Sequence, residues 1–211
     1  VDLTPVTLEG RVVRLEPLTP GHLDALCAVG LAPSLWEIAI QRVTSRSEMQ
    51  AYIDQALAEQ RAGTSLPFAT VELTTGTIVG TTRYMNIARE HRRLEIGSTW
   101  IAPRWQRTGV NTDAKFLLLQ HAFDVLGCRR VELKTNVLNA RSRAAMLRIG
   151  CTEEGILRQH MLNWDGSSRD SVYYSILDGE WPAVRDRLAA MRGRSALPVV
   201  ASTRNRGAHG R

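Results

Sequence analysis

The stretch RWQRTGVNTDAKFLLLQHAF, residues 104–123, decides how this chain is read. A polar turn holding one glycine runs straight into a segment that is apolar on almost every side. Ala114, Leu117, Leu118, His121, Ala122 and Val125 recur at helical spacing, with Phe116, Leu119 and Phe123 on the flanks, so this helix must be covered nearly all round. The open N-terminus of a buried helix carries unsatisfied N–H groups and a partial positive charge, which suits phosphate. Gly109 is expected to allow a left-handed turn and a close approach of phosphate oxygens. Arg107 adds a bidentate cation, and Asn111 is a candidate N-cap. No Gly-Lys-Ser/Thr follows, which disfavours nucleotide triphosphate hydrolysis, and a single glycine does not make the dinucleotide fingerprint.

Outward from this helix the order of elements is legible. RVVRLEPL reads as a first strand and PGHLDALCAVG as a short helix closed by Gly30. Ser45 and Glu48 form a capping-box pattern. It opens a helix whose stripe is Met49, Tyr52, Ile53, Ala56 and Leu57 and whose end is Gly63. LPFATVEL, the turn TTGT and IVGTTRYMNI make a hairpin. RRLEIGSTWI alternates, which puts Leu94, Ile96 and Trp100 on one face and Glu95, Gly97 and Thr99 on the other. After the long helix come a strand RRVELKT, a short helix NARSRAAMLRIG and a strand EGILRQHML. The turn NWDGSS leads to a last strand SVYYSIL and a final helix with Pro182 in its first turn. Consecutive early strands imply an antiparallel meander, and the central βαβ unit implies one parallel crossover. The fold class is α+β in one domain, a mixed, mostly antiparallel sheet with helices on both faces.

The chain has 211 residues, 44% of them apolar and 23% charged, enough for one core without staples. No apolar run is long enough to span a membrane, and the acids and proline of VDLTPVTLEG argue against a secretory signal. Cys27, Cys128 and Cys151 share no metal-ligand spacing, so no metal is expected and reduced thiols in a cytoplasmic protein are. The net charge of +6 is localised: residues 1–184 hold 20 basic and 20 acidic residues, whereas 7 arginines and Asp186 follow. Residues 1–192 therefore read as the domain and 193–211 as a basic, flexible tail. With the remainder neutral, nucleic acid is an unlikely partner.

Some 30 residues after the QRTGVN turn, NVLNARSRAAMLRIGCTEEG follows the next strand. The pair of motifs — strand, Q-R-x-G-x turn and long helix, then strand, N-x-x-S, short helix, glycine and EG — resembles the GCN5-related N-acetyltransferase family. Its N-x-x-S variant and the leading GRVVRLEPLTPGHLDAL look like the ribosomal-protein (Rim-type) branch. The resemblance covers roughly residues 8–180 in element order. It implies acetyl-coenzyme A as cosubstrate, a primary amine as acceptor and, from family habit, a possible homodimer. It also implies that Trp100 and Ile101 offer backbone groups to the pantetheine arm, and that Gln106, Arg107, Thr108, Gly109, Val110 and Asn111 surround the pyrophosphate. The two strands flanking the crossover helix should splay apart to admit that arm. Asn139 would bond the pantetheine or cap the short helix, or do both. Asn111 departs from the family, which usually has Gly or Ala there.

The implied chemistry needs a base for the amine, donors for the tetrahedral oxyanion and a donor for the departing thiolate. The family tyrosine that often serves the thiolate falls at Met146 here and is missing. The Rim-type serine matches Ser142, which is assigned to the coenzyme sulfur. Glu95 matches the position some members use for the base, with a salt bridge to its charged neighbours in REHRRLE as the ordinary reading. The backbone N–H of Trp100 or Ile101 is the expected oxyanion donor. His160, Trp36 and Trp164 lie where the family borders its acceptor site, whereas His121 is expected in the core. The expected acceptor is a peptide or protein N-terminal α-amine, followed by a small-molecule amine such as a polyamine or antibiotic. A non-catalytic acyl-coenzyme A-binding module is the alternative of a different class.

Overall fold

The computed structural model describes residues 3–194; the basic tail expected from residue 193 lies, beyond Arg194, outside the described residues. The elements run in the expected order, with one short strand added at the start. They are β1 (Leu8–Glu9), β2 (Val13–Pro17), α1 (Leu23–Gly30), α2 (Arg46–Arg61), β3 (Leu66–Glu72), β4 (Thr77–Ala88), β5 (Arg93–Ile101) and α3 (Val110–Gln120). There follow β6 (Arg130–Asn136), α4 (Ala140–Ile149), β7 (Thr152–Leu162), β8 (Ser168–Leu177) and α5 (Trp181–Arg194). The eight strands form one sheet in the order β1-β2-β3-β4-β5-β6-β8-β7. Only β5 and β6 are parallel, as a crossover through α3 requires. Among the described residues, no helix is long and apolar enough to cross a membrane.

Two apolar clusters sandwich the sheet. Leu26 of α1 and Met49, Tyr52, Ile53 and Ala56 of α2 pack on one face with Trp36 and Trp100. The other face carries α3, α4 and α5, including Leu118, Leu119, Ile149, Trp181 and Leu188, over Leu15, Phe68, Leu94, Ile96, Val131 and Tyr174. α3 is buried from Val110 to Leu119, apart from half-buried Asn111. Its cover includes α5, where Trp181 stacks on Phe123 at 5.4 Å. The helix then widens into a π turn, His121–Val125, which turns Val125 outward to 70% exposure against its expected place in the apolar stripe.

A buried carboxylate ties the layers together. Asp113, in the first turn of α3, accepts from the N–H groups of Val12 (2.7 Å) and Val13 (2.9 Å) and from the Arg192 side chain of α5. Two orphan donors of the β1–β2 hairpin and one cation are thus satisfied at a single point. The capping box of α2 is only half formed. Ser45 Oγ caps the Glu48 N–H at 3.2 Å, but Glu48 turns its carboxylate to the N–H of Thr44 at 2.6 Å.

Candidate active site: a helix N-terminus at a fork in the sheet

The alternation of β5 breaks at a bulge. Trp100 pairs with Thr81 and Gly97 with Arg83, so Ser98 and Thr99 together face Thr82, and Ser98 takes a positive φ of 46°. The extra residue shifts the phase. Trp100 therefore joins the α1–α2 face with Glu95 rather than the face of Leu94 and Ile96, correcting the simple alternation. Gly80 is required opposite the bulge's end, because a β-carbon there would collide with the Trp100 carbonyl oxygen.

Beyond the bulge the sheet divides. β5 and β6 pair only at Arg93–Arg130, Leu94–Val131 and Glu95–Glu132. Ile96 to Ile101 and Leu133 to Asn136 have no partner across this gap, as the family resemblance implies for strands that splay. The fork opens into a cleft of about 1150 Å³ that reaches from Trp36 and Ile38 past Glu95 to the start of α3 and to Ser142 on α4.

At the cleft's outer end lies the N-terminus of α3. Its first helical bond runs from Asp113 N–H to Gly109 O at 2.9 Å. The N–H groups of Gly109, Asn111 and Thr112 therefore have no carbonyl within the helix. That of Val110 goes to Thr108 Oγ1 at 3.3 Å, and its side chain is buried. Two expectations are corrected here. The left-handed residue of the turn is Arg107 (φ 62°), not Gly109, which has right-handed φ −66° and ψ −13°. The N-cap is Gly109, and Asn111 stands inside the helix. Gln106 is braced on both sides: its Nε2 donates to Ile101 O (2.8 Å) and its Oε1 accepts from Arg141 (2.6 Å). Arg107 and Arg141 thus both border a bare helix N-terminus, an arrangement suited to a diphosphate.

Asn139 caps α4, its Oδ1 accepting from Ser142 N–H at 3.0 Å, while facing the cleft. Ser142 is half-buried, and its hydroxyl engages no group among the described residues. Glu95 is 2% exposed, and its partners are Lys134 Nζ at 3.3 Å and Asn86 Nδ2 at 2.8 Å rather than its own loop. Ordinary alternation on β6 could not reveal Lys134 as that partner. Trp36 is buried at 5% exposure, donates Nε1 to Gly30 O (2.9 Å) and packs on Trp100 at 5.7 Å. It forms a wall of the cleft, not an exposed loop surface. Trp164 (42% exposed) and His160 lie outside the lining. Trp164 is covered by the Arg42 guanidinium at 4.8 Å, and His160 sits edge-on to Tyr173. His121 is half-buried beside Tyr84, and burial lowers its pKa.

Lys115 escapes a pattern reading, since a lysine within an apolar helix signals a solvated face. Instead it is buried on α3 and lines the cleft. Nζ donates to Thr99 Oγ1 at 3.0 Å, no carboxylate among the described residues pairs with it, and burial pushes its pKa down to about 8. Below that pH the folded protein bears the full cost of an unpaired buried ammonium. Between about 8 and 10.5 the unfolded chain holds more protons, so this cost fades as pH rises. Lys115→Met is expected to stabilise the unliganded protein at pH 7 by on the order of 3 kcal/mol. The difference from wild type should shrink toward pH 10, as read by urea unfolding at both pH values. A pH-independent difference would contradict the assignment.

Residues 13–152 match the family model of the acetyltransferase (GNAT) domain. The chain therefore belongs to the GNAT acetyltransferase family. It is 39% identical over 106 residues to the Bacillus subtilis (strain 168) protein named "Putative ribosomal N-acetyltransferase YdaF", covering 50% of this chain and 57% of that one. The chain thus spans little more than half the length of this curated relative. A solved GCN5-related N-acetyltransferase from Brucella melitensis superposes with a TM-score of 0.83 at 36% identity, covering 90% of this chain and 86% of that one. Mycobacterium smegmatis RimJ in complex with CoA-disulfide superposes at 0.76 and 27% identity, covering 89% and 95%.

Proposed function

We propose that this chain transfers an acetyl group from acetyl-coenzyme A to a primary amine, with a peptide or protein N-terminal α-amine as the acceptor. The observation that carries this reading is the continuity of one cleft from bare N–H groups at the start of α3, through the fork between β5 and β6, to the buried Glu95. A diphosphate on Gly109, Asn111, Thr112 and Arg107 would send a thin arm along the unpaired edge of β5. The thioester would then arrive near the bulge at Ser98. The names of the ribosomal N-acetyltransferase relative and of RimJ support a protein acceptor and a coenzyme A donor.

In this reading acetyl-coenzyme A supplies an activated acyl group, and the chain supplies positioning and proton management. Glu95 takes the proton of the acceptor ammonium, its charge held by Lys134 and Asn86. Backbone N–H groups of β5 from the bulge to Ile101 stabilise the oxyanion. Ser142 donates its hydroxyl proton's hydrogen bond to the leaving sulfur in place of the tyrosine that Met146 replaces. The catalytic unit is residues 1–192, and the free thiols of Cys27, Cys128 and Cys151 fit a reducing, cytoplasmic setting.

The test mixes the full chain with acetyl-coenzyme A and peptides carrying a free or a blocked α-amine, following thiol release and peptide mass. Acetylation of free α-amines alone is expected. Transfer only to polyamines or antibiotic amines would move the acceptor to small molecules. Tight acetyl-coenzyme A binding with no transfer to any amine would leave an acyl-coenzyme A-binding module.

A further inference from the structure

Four buried side-chain atoms among the described residues have no hydrogen-bond partner: Trp100 Nε1, His160 Nδ1, Arg169 Nε and Ser171 Oγ. Three of them, on His160, Arg169 and Ser171, lie on the neighbouring strands β7 and β8. Arg169, Ser171 and Tyr173 alternate along β8 and so share one face. His160 of β7 meets the Tyr173 ring edge-on at 5.6 Å. Across the strand pair Lys134 faces Tyr173, its Nζ 5.5 Å from the ring centroid and 3.3 Å from Glu95. Trp100, Arg169 and Glu95 all line the cleft, and Glu95 lies close enough to Arg169 to support its charge.

The charges here do not balance. Glu95 contributes one carboxylate, and it is already shared with Lys134 and Asn86. Arg169 is only 7% exposed, and its one side-chain hydrogen bond among the described residues is a long one, 3.4 Å from Nη1 to Ile38 O. Burial works against its charge and Glu95 supports it. Buried cations are ordinarily paired, because an unpaired one loses its hydration without compensation. Arg83, also in this cleft, has its own partner in Glu59 at 2.9 Å. Arg169 and Trp100 present only donors, so what they lack is an anion or a carbonyl-rich group.

We propose that the missing anion is a carboxylate of the acceptor, so that the substrate is an amine that also carries a carboxylate, held at one end by Glu95 and at the other by Arg169. This deepens the acetyltransferase reading and rests on the amine approaching from the Glu95 side of the fork. The acceptor is a peptide N-terminus with an acidic side chain beside the α-amine. A free α-amino acid offers the same chemistry, and the test separates the two. A polycationic acceptor would meet Lys134 and Arg169 in a buried site and is disfavoured.

The experiment compares Ser-Glu-Ala-Ala amide, Ser-Gln-Ala-Ala amide and free glutamate as acceptors with wild type, Arg169→Met and Arg169→Lys. Wild type is expected to prefer the Glu peptide over the Gln peptide by at least about tenfold in kcat/KM. The ratio should fall to near one in Arg169→Met and recover in part in Arg169→Lys. Free glutamate exceeding the peptide would assign the carboxylate to a small amino acid. Turnover without an acid preference, or a preference that survives Arg169→Met, would overturn the proposal.

Calorimetric binding of N-acetyl-Ser-Glu amide and N-acetyl-Ser-Gln amide, with coenzyme A present, makes the test independent of turnover. An acid preference in binding that Arg169→Met removes, with no acetyl transfer to any amine, would keep the anion site and retire the transferase reading. Equal affinity for the two mimics would retire the anion site itself.

Discussion

Gly109→Trp is expected to abolish acetyl-coenzyme A binding while the protein stays folded. The backbone argument is specific: with φ −66° and ψ −13°, Gly109 sits where any L-residue is comfortable, so the substitution brings no torsional strain. What it brings is volume. Gly109 is the N-cap and faces the cleft, so an indole there occupies the space in front of the Asn111 and Thr112 N–H groups. Wild type should bind acetyl-coenzyme A with a Kd on the order of micromolar, and the variant more than about 100-fold more weakly, a loss of roughly 3 kcal/mol. Gly109→Ala is the control and should bind nearly as wild type, because its methyl group leaves the N–H groups accessible. Calorimetric titration reads both, and circular dichroism checks the fold. Full-strength binding by the tryptophan variant would remove the helix N-terminus from the diphosphate site.

Glu95→Gln is expected to lower kcat about 10²- to 10⁴-fold with little change in acetyl-coenzyme A affinity. The amide keeps the shape and can still bond Asn86, but it cannot take a proton from the acceptor. It also leaves Lys134, itself 9% exposed, without a counter-charge, so some loss of stability should accompany the loss of rate. Glu95→Asp separates the two effects: it retains charge and should recover stability further than rate, because the shorter side chain withdraws from the amine. Steady-state kinetics at saturating acetyl-coenzyme A checks the prediction. A kcat within a few-fold of wild type would make Glu95 a structural partner of Lys134 and pass the proton to water.

The fold was legible because its signals are local. The apolar breadth of residues 114–123, the glycines at 30, 63 and 150, and the strand-helix order between residues 93 and 150 all depend on neighbours in sequence. The polar turn and the bare start of the long helix were legible for the same reason, though the torsional detail was not. Left-handed backbone was expected at the glycine, whereas Arg107 adopts it, since the flanking turn and not the residue type fixes φ there. What pattern reading missed depends on contacts far apart along the chain. Lys134 pairs with Glu95 across the parallel strands, Asp113 gathers the β1–β2 hairpin and α5, and Arg169 approaches the cleft from β8. Each looks like an ordinary surface charge until the sheet order is known. The bulge at Ser98 is a further case: one extra residue moved Trp100 to the opposite face, and Gly97, which permits a bulge, does not by itself fix where it falls.

The fork gives the sheet a mechanical character that its eight strands alone would not suggest. With only three residue pairs joining β5 to β6, its two parts are stitched together by a short seam at Arg93–Glu95, spanned on one side by α3. A molecule lying in the gap would act as mortar, replacing the missing rungs with its own amides. Rigidity of the whole would then be lent by the ligand. The unfilled protein would keep its softest direction of motion at that seam.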